Sequence, residues 1–236
     1  MPSRRDHPSR RGLLGGVAIA GTLILLASAW WWLWVPHHRP SLAADEVHAV
    51  DVSSYQGDID WDAVADDGIG AAMIKATEGK GFVDSQFAQN WQESADAGIR
   101  RGAYHFFTLC ASGADQAENF LAAAPPDESA LAPAIDLELI GPCADRPPQS
   151  EVDSELETFR QTVEAAWGRP LLVYARASFT SEYSIGALAD NPSWVTHFFL
   201  RPTNDEWTMW QVHYVARIDG IEGDVDLDVL RLTPRS

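Results

Sequence analysis

The residues best suited to chemistry in this chain of 236 amino acids are carboxylic acids, and two stand in an unexpected place. Residues 132–143, "APAIDLELIGPC", read as a buried strand, yet they carry Asp136 and Glu138 with only Leu137 between them. Burying a charge is costly unless it is paired or neutralised. On a strand, positions i and i+2 share a face, so both carboxyls point one way while Leu137 points the other. At roughly 3.3 Å rise per residue, their bases lie about 6.6 Å apart. Mutual repulsion then favours a proton on one of the two. A protonated acid beside an ionised carboxylate is the pair that cleavage of a glycosidic bond uses. The competing reading is a salt-bridged pair, but among bases only Lys75 falls at a comparable strand end.

Those acids need elements to hold them. From Val47 onward, short apolar runs alternate with longer amphipathic ones. "VHAVDVS", "GAAMIKAT", "RGAYHFFTL", "LAPAIDLEL", "PLLVYA", "SWVTHFFLR", "EWTMWQVHY" and "GDVDLDVLRL" read as strands. The first five are separated by helical segments, with Asp84 and Ser150 expected as helix N-caps and Gly98 past a helix end. Alternation of this kind indicates a parallel sheet flanked by helices. Seven to eight strands in so short a domain fit an irregular β/α barrel of the TIM type, with its later helices shortened or missing. No glycine-rich phosphate fingerprint follows the first strand, which weakens a nucleotide-binding fold. In a β/α barrel the reactive groups collect at the C-terminal ends of the strands. Asp51 in "AVDVSSYQG", Glu78 in "IKATEG", the Asp136–Glu138 pair, and Asp226 in "GDVDLDVL" all map there. The last strand is expected to close against the first.

Residues 12–35 carry no charge, a length sufficient to span roughly 30 Å of hydrocarbon. Arg4, Arg5, Arg10 and Arg11 precede them, and Trp30, Trp31, Trp32 and Trp34 mark the far end, as for a basic cytoplasmic flank and an interfacial belt. The organisation expected is a cytoplasmic basic segment (1–11), a transmembrane anchor or signal sequence (12–35), a linker (36–45) and the barrel domain (46–236). "ASA" at 27–29 keeps a cleaved signal in play. Either way the barrel is exported, tethered to the membrane by this helix or released after cleavage. The formal charge is −17, and after residue 40 there are 12 basic against 33 acidic residues. So acidic a domain repels nucleic acid and anionic membrane surfaces.

Cys110 and Cys143 are the two cysteines. Export permits a disulfide between them, and two separate buried thiols are the alternative. No histidine or cysteine lies at ligand spacing nearby, so a metal site is not expected. Tyr104, Tyr174 and Trp210 lie where aromatic rings can stack on pyranose faces, or can simply pack. His105 reads as a satisfied core histidine, and Lys75 and Glu78 as an ion pair at the rim. Ser53 and Ser54 lack the G-x-S-x-G elbow of a serine nucleophile.

"DVSSYQGDIDWDAV", "AAMIKATEGKGFVDSQFAQNWQESADAGIRRGAYHFF", "QAENFL", "APAIDLE" and "GIEGDVDLDVL" together resemble glycoside hydrolase family 25, from about His48 to Leu230. The resemblance implies an irregular β/α barrel and an N-acetylmuramidase. Such an enzyme cuts the β-1,4 bond between N-acetylmuramic acid and N-acetylglucosamine in peptidoglycan glycan strands, without a cofactor. It implies Glu138 as proton donor, with Asp136 beside it to orient the substrate's N-acetyl group or assist displacement directly. Asp51 and Asp226 match the other two active-site acids, and the cysteine pair resembles the variant of Gram-negative bacteria, which implies a monomer anchored in the inner membrane with its barrel in the periplasm, or secreted if the signal is cleaved. Rival readings are a non-catalytic peptidoglycan-binding module and a hydrolase of another N-acetylated glycan such as chitin. The chain departs from the pattern at "WQVH" (family Trp-Gln-Tyr), at "DLDVL" (commonly "DLNVF") and at "THFFLRP".

Overall fold

A computed structural model of the chain describes residues 10–141, 143–204 and 206–232, which divide into two units at Arg39. The first unit holds α1 (Arg10–Trp34). From Ile19 it is long and apolar enough to cross a membrane, by length and composition. Near its end Trp30 stacks on Trp34 at 4.9 Å. Of the basic segment expected at 1–11, residues 1–9 lie outside the described residues.

The second unit is a closed barrel of eight strands: β1 (Glu46–Val52), β2 (Ile69–Glu78), β4 (Arg100–Phe107), β5 (Ala134–Leu137), β6 (Leu172–Ala175), β7 (Ser193–Thr196), β8 (Trp207–Ala216) and β9 (Val225–Arg231). A two-residue strand, β3 (Phe82–Val83), hairpins onto β2 outside the ring. From β1 to β8 every neighbour is parallel. β9 closes the ring antiparallel to both β8 and β1. The cause is the link: residues 217–224 are too few for a parallel crossover, which needs a dozen or more. At its turn, Gly220 takes φ +93° where a Cβ would strike the Asp60 carbonyl, so glycine is required.

Strand parity sorts the core into two layers. Ala49, Met73, Ala134, Leu172, Met209 and Leu230 fill the barrel interior. Their sequence neighbours Val50, Ile74, Ile135, Val173, Trp210 and Val229 face outward. There they meet α2 (Trp61–Asp66), α3 (Phe87–Asp96), α4 (Gly113–Ala123) and α5 (Gln149–Trp167). α5 offers Val152, Leu156, Phe159, Val163 and Trp167, one helical stripe, all buried. Its Phe159 stacks on His105 at 4.9 Å, and His105 is bonded to Thr77 (2.7 Å) and Gln116 (3.1 Å), so this histidine belongs to the outer core. Burial depresses its pKa to about 4.

After β6 the helices dwindle to α6 (Ala177–Thr180), and a loop replaces the helix between β7 and β8. "THFFLR" does not continue as strand beyond Thr196, and Phe199, three residues on, takes φ +61°. Two helix caps also differ from expectation. α5 starts one residue before Ser150, with Pro148 at its N-cap. Asp84 lies ahead of α3, and its carboxylate accepts from Ser54 N (3.0 Å), Ser54 Oγ (2.8 Å) and Gln86 N (3.0 Å). It thereby ties the loop after β1 to the start of α3.

Candidate active site

The C-terminal ends of the parallel strands open into a cavity of about 850 Å³. Asp51, Asp136, Glu138 and Asp226 all line it. Asp136 comes from β5 and Glu138 from the residue just past it, with Leu137 buried between them in the outer core, as parity requires. Asp226 reaches the same rim from the start of β9 rather than its end, because β9 runs the other way. Asp51 and Asp226 are direct cross-strand partners.

Hydrogen bonds connect the acids. Gln211 of β8 donates through Nε2 to Asp226 Oδ1 (3.0 Å) and, at longer range, to Asp51 Oδ2 (3.4 Å). Its Oε1 accepts from the Tyr174 hydroxyl (3.1 Å) and from Thr196 Oγ1 (3.2 Å). Arg176, immediately after β6, donates Nη1 to Glu138 Oε2 at 3.0 Å. The Glu138 side chain is only 9% exposed, while that of Arg176 is 49% exposed at the rim. Lys75 donates to Glu78 Oε2 at 2.7 Å and sits over the Phe106 ring. Its charge is thus balanced at the rim.

Electrostatics follow from burial. Asp136 is driven well above the carboxylate range, first by burial and then by the Glu138 charge. Its Oδ1 is buried without a hydrogen-bond partner among the described residues. Burial, then the charge of Asp51, raises Asp226 to about 9. Asp51 is raised by burial and by a second buried carboxyl, Asp228. Such a site keeps protons at neutral pH and can give one up.

Tyr104 and Tyr174 line the cavity. Two other expectations need correction. Trp210 is fully buried in the outer core layer, its indole N–H donating to the His197 carbonyl at 2.7 Å beneath the loop after β7. Met209 and Gln211 take the inward positions, so no sugar can reach Trp210. Glu78 forms the rim ion pair expected with Lys75, but it does not line the cavity with the other strand-end acids, so it is not a sugar contact. Residues that sequence reasoning missed are Gln211, Arg176, Asp228, and the exposed Phe198–Tyr214 pair, edge-to-face at 5.4 Å on the cavity wall. The i+2 rule that selected Asp136 and Glu138 also selects Asp228 from Asp226, and inward parity from Met209 finds Gln211. Nothing in the sequence pattern marks Phe198 and Tyr214.

Cys110, after β4, and Cys143, after β5, form a disulfide with 5.8 Å between Cα atoms. It fastens the loop beyond Glu138 to the neighbouring strand's loop. Among the described residues no three His, Cys, Asp or Glu side chains are arranged to hold a metal ion.

Residues 50–221 match the family described as glycosyl hydrolases family 25. The chain is 35% identical over 199 residues to the uncharacterized protein YegX of Escherichia coli K12, covering 81% of this chain and 72% of that protein. It is 33% identical over 195 residues to lysozyme M1 of Streptomyces globisporus, covering 76% and 66%. Among solved structures, a family 25 glycosyl hydrolase from Bacillus anthracis superposes with a TM-score of 0.73 at 35% identity, covering 82% of this chain and 93% of that one.

Proposed function

This chain belongs to glycosyl hydrolases family 25, and from that membership we propose how its barrel cleaves peptidoglycan as an N-acetylmuramidase. The observation that carries the reading is the convergence of Asp51, Asp136, Glu138 and Asp226 in one cavity. Glu138 protonates the glycosidic oxygen between N-acetylmuramic acid and N-acetylglucosamine with the proton that the Asp136–Glu138 pair holds, which leaves Asp136 ionised, and Arg176 fixes the orientation of the Glu138 carboxyl. Asp136 lies deeper, with an unpaired oxygen that suits a hydrogen bond with the N-acetyl group of the bound sugar. That contact aims the acetamide, or the carboxyl itself, at the anomeric carbon as positive charge develops there. Asp51 and Asp226, joined by Gln211, hold protons at the opposite wall and offer the sugar hydrogen bonds there. Tyr104, Tyr174 and the Phe198–Tyr214 pair offer ring faces and hydroxyls for sugar contact.

Digestion of purified peptidoglycan tests this. Fragments are expected with muramic acid at the new reducing end. Glucosamine-terminated fragments, or preferential cleavage of chitin oligomers, overturn the assignment of the bond. Retention on cell walls without cleavage would mark a binding module instead.

The location we propose is the inner membrane, with α1 as single-pass anchor and the monomeric barrel in the periplasm. The apolar helix, its basic flank and a disulfide that needs an oxidising compartment support it. Alkaline extraction of membranes, with N-terminal sequencing of the mature protein, separates an anchored chain from one released by cleavage.

A further inference from the structure

We propose that Asp228 is a positioning residue that shares a single proton with Asp51 across the β1–β9 seam, and that this proton holds Asp51 in its catalytic orientation. Asp228 is fully buried and is absent from the cavity wall that Asp51 lines. It pairs in register with Ala49 of β1, one inward step below Asp51. That register sets the two carboxyls on the same inward face across the seam, where each acts on the other. A hydrogen bond between two carboxyls needs one proton between them.

The surroundings leave the pair no other means of neutralisation. Asp228 Oδ1 accepts from the Trp194 indole N–H at 2.8 Å. Among the described residues its Oδ2 is buried without a donor, and the carboxyl that faces it is that of Asp51. Among the same residues Asp51 accepts the long Gln211 contact. The groups facing the pair from adjacent elements are Asp226 on β9, Asp136 on β5 and Tyr104 on β4, all anionic or neutral. The cations at the rim are engaged elsewhere, Lys75 with Glu78 and Arg176 with Glu138. Burial first, and then neighbouring carboxyl charge, pushes both members of the pair well above the ordinary range. They titrate as one unit, and the last proton belongs to the pair.

The consequence is a tie that base can break. Loss of the shared proton places two buried anions against each other and drives Asp51 from its position. An asparagine at 228 would form the same two contacts permanently, its oxygen accepting from Trp194 and its amide donating to Asp51.

The test uses the full-length chain in detergent and two variants, Asp228→Asn and Asp51→Asn, with their combination. Infrared spectra at neutral pH are expected to show one protonated carboxyl lost in either single variant, and no further loss in the double variant. Additive losses, or none, overturn the proposal. This readout needs no substrate, so it stands whether or not the muramidase reading holds, and Asp51→Asn carries it should Asp228→Asn fail to fold. The second readout rests on that reading. In the pH profile of peptidoglycan cleavage, Asp228→Asn is expected to move the alkaline limb upward by about one pH unit or more. Superimposable limbs would show that Asp228 only fills space.

Discussion

Arg176 Nη1 meets Glu138 Oε2 at 3.0 Å, so the proposed proton donor is gripped by a guanidinium from the adjacent strand end. The Arg176 backbone is itself fixed, its N–H donating to the Leu137 carbonyl at 3.0 Å. Glu138→Gln keeps the shape and an oxygen for Arg176 but has no proton to give. Turnover of peptidoglycan should fall on the order of 10²- to 10⁴-fold with an unchanged circular dichroism spectrum. Cleavage at the wild-type rate would remove Glu138 from its role.

Arg176→Met releases the Glu138 carboxyl from its fixed direction without touching the acid itself. Misorientation at a reacting centre costs up to about 100-fold. The expected result is a fall in kcat larger than any rise in KM, measured on soluble glycan fragments. A pure KM effect would recast Arg176 as a substrate-binding group alone.

Gln211 is the crosspiece between Asp226, Asp51, Tyr174 and Thr196. Gln211→Leu strands those partners, which should destabilise the fold by about 1–3 kcal/mol and lower activity as well. Chemical denaturation and a turnover assay on the same preparation check both. An active, equally stable variant would mean that the acids organise without it.

The carboxyl cluster sets the pH dependence of stability. Asp51, Asp136 and Asp228 are raised well above 3.8 and Asp226 to about 9, so the folded state holds protons that the unfolded chain releases. Stability from these groups is therefore present at low pH and is lost as pH rises. His48 and His105 act in the opposite sense, but only below their ordinary value of 6.5. From pH 7 to 9 the carboxyls alone decide, and the unfolding free energy should fall by about 1.4 kcal/mol per pH unit for each proton involved, with Tm falling alongside. Asp226→Asn should flatten that slope, and calorimetry across this range would expose an error in sign.

The disulfide closes a loop with a sequence separation of 33 between its cysteines. Chain-entropy arithmetic gives it about 3–4 kcal/mol. The double variant Cys110→Ser/Cys143→Ser should lose that stability, and activity with it, since the loop beyond Glu138 is held there. Two titratable thiols in the oxidised protein would contradict the bridge.

Much of this site was legible because strand parity is rigid. Once residues 134–137 are a strand, Asp136 must face inward and Leu137 outward. Along "EWTMWQVHY" an aromatic ring near a strand end suggests a sugar contact, but the same parity turns Trp210 to the outer layer. Asp84 was misread because a buried acid near a helix start resembles a cap. Its partners come from a loop 30 residues earlier, which no local pattern reveals. The direction of β9 was legible only in the brevity of residues 217–224. Arg176 escaped notice because its meaning depends on β5 and β6 being neighbours.

The antiparallel closing strand has a consequence for how the protein comes into being. β9 is the last strand to be synthesised, and it brings Asp226 and Asp228 while sealing the open edges of β1 and β8. A nascent or truncated chain therefore has neither a closed scaffold nor a complete set of acids. Closure of the barrel and completion of its acid cluster are thus one event, made by the same strand.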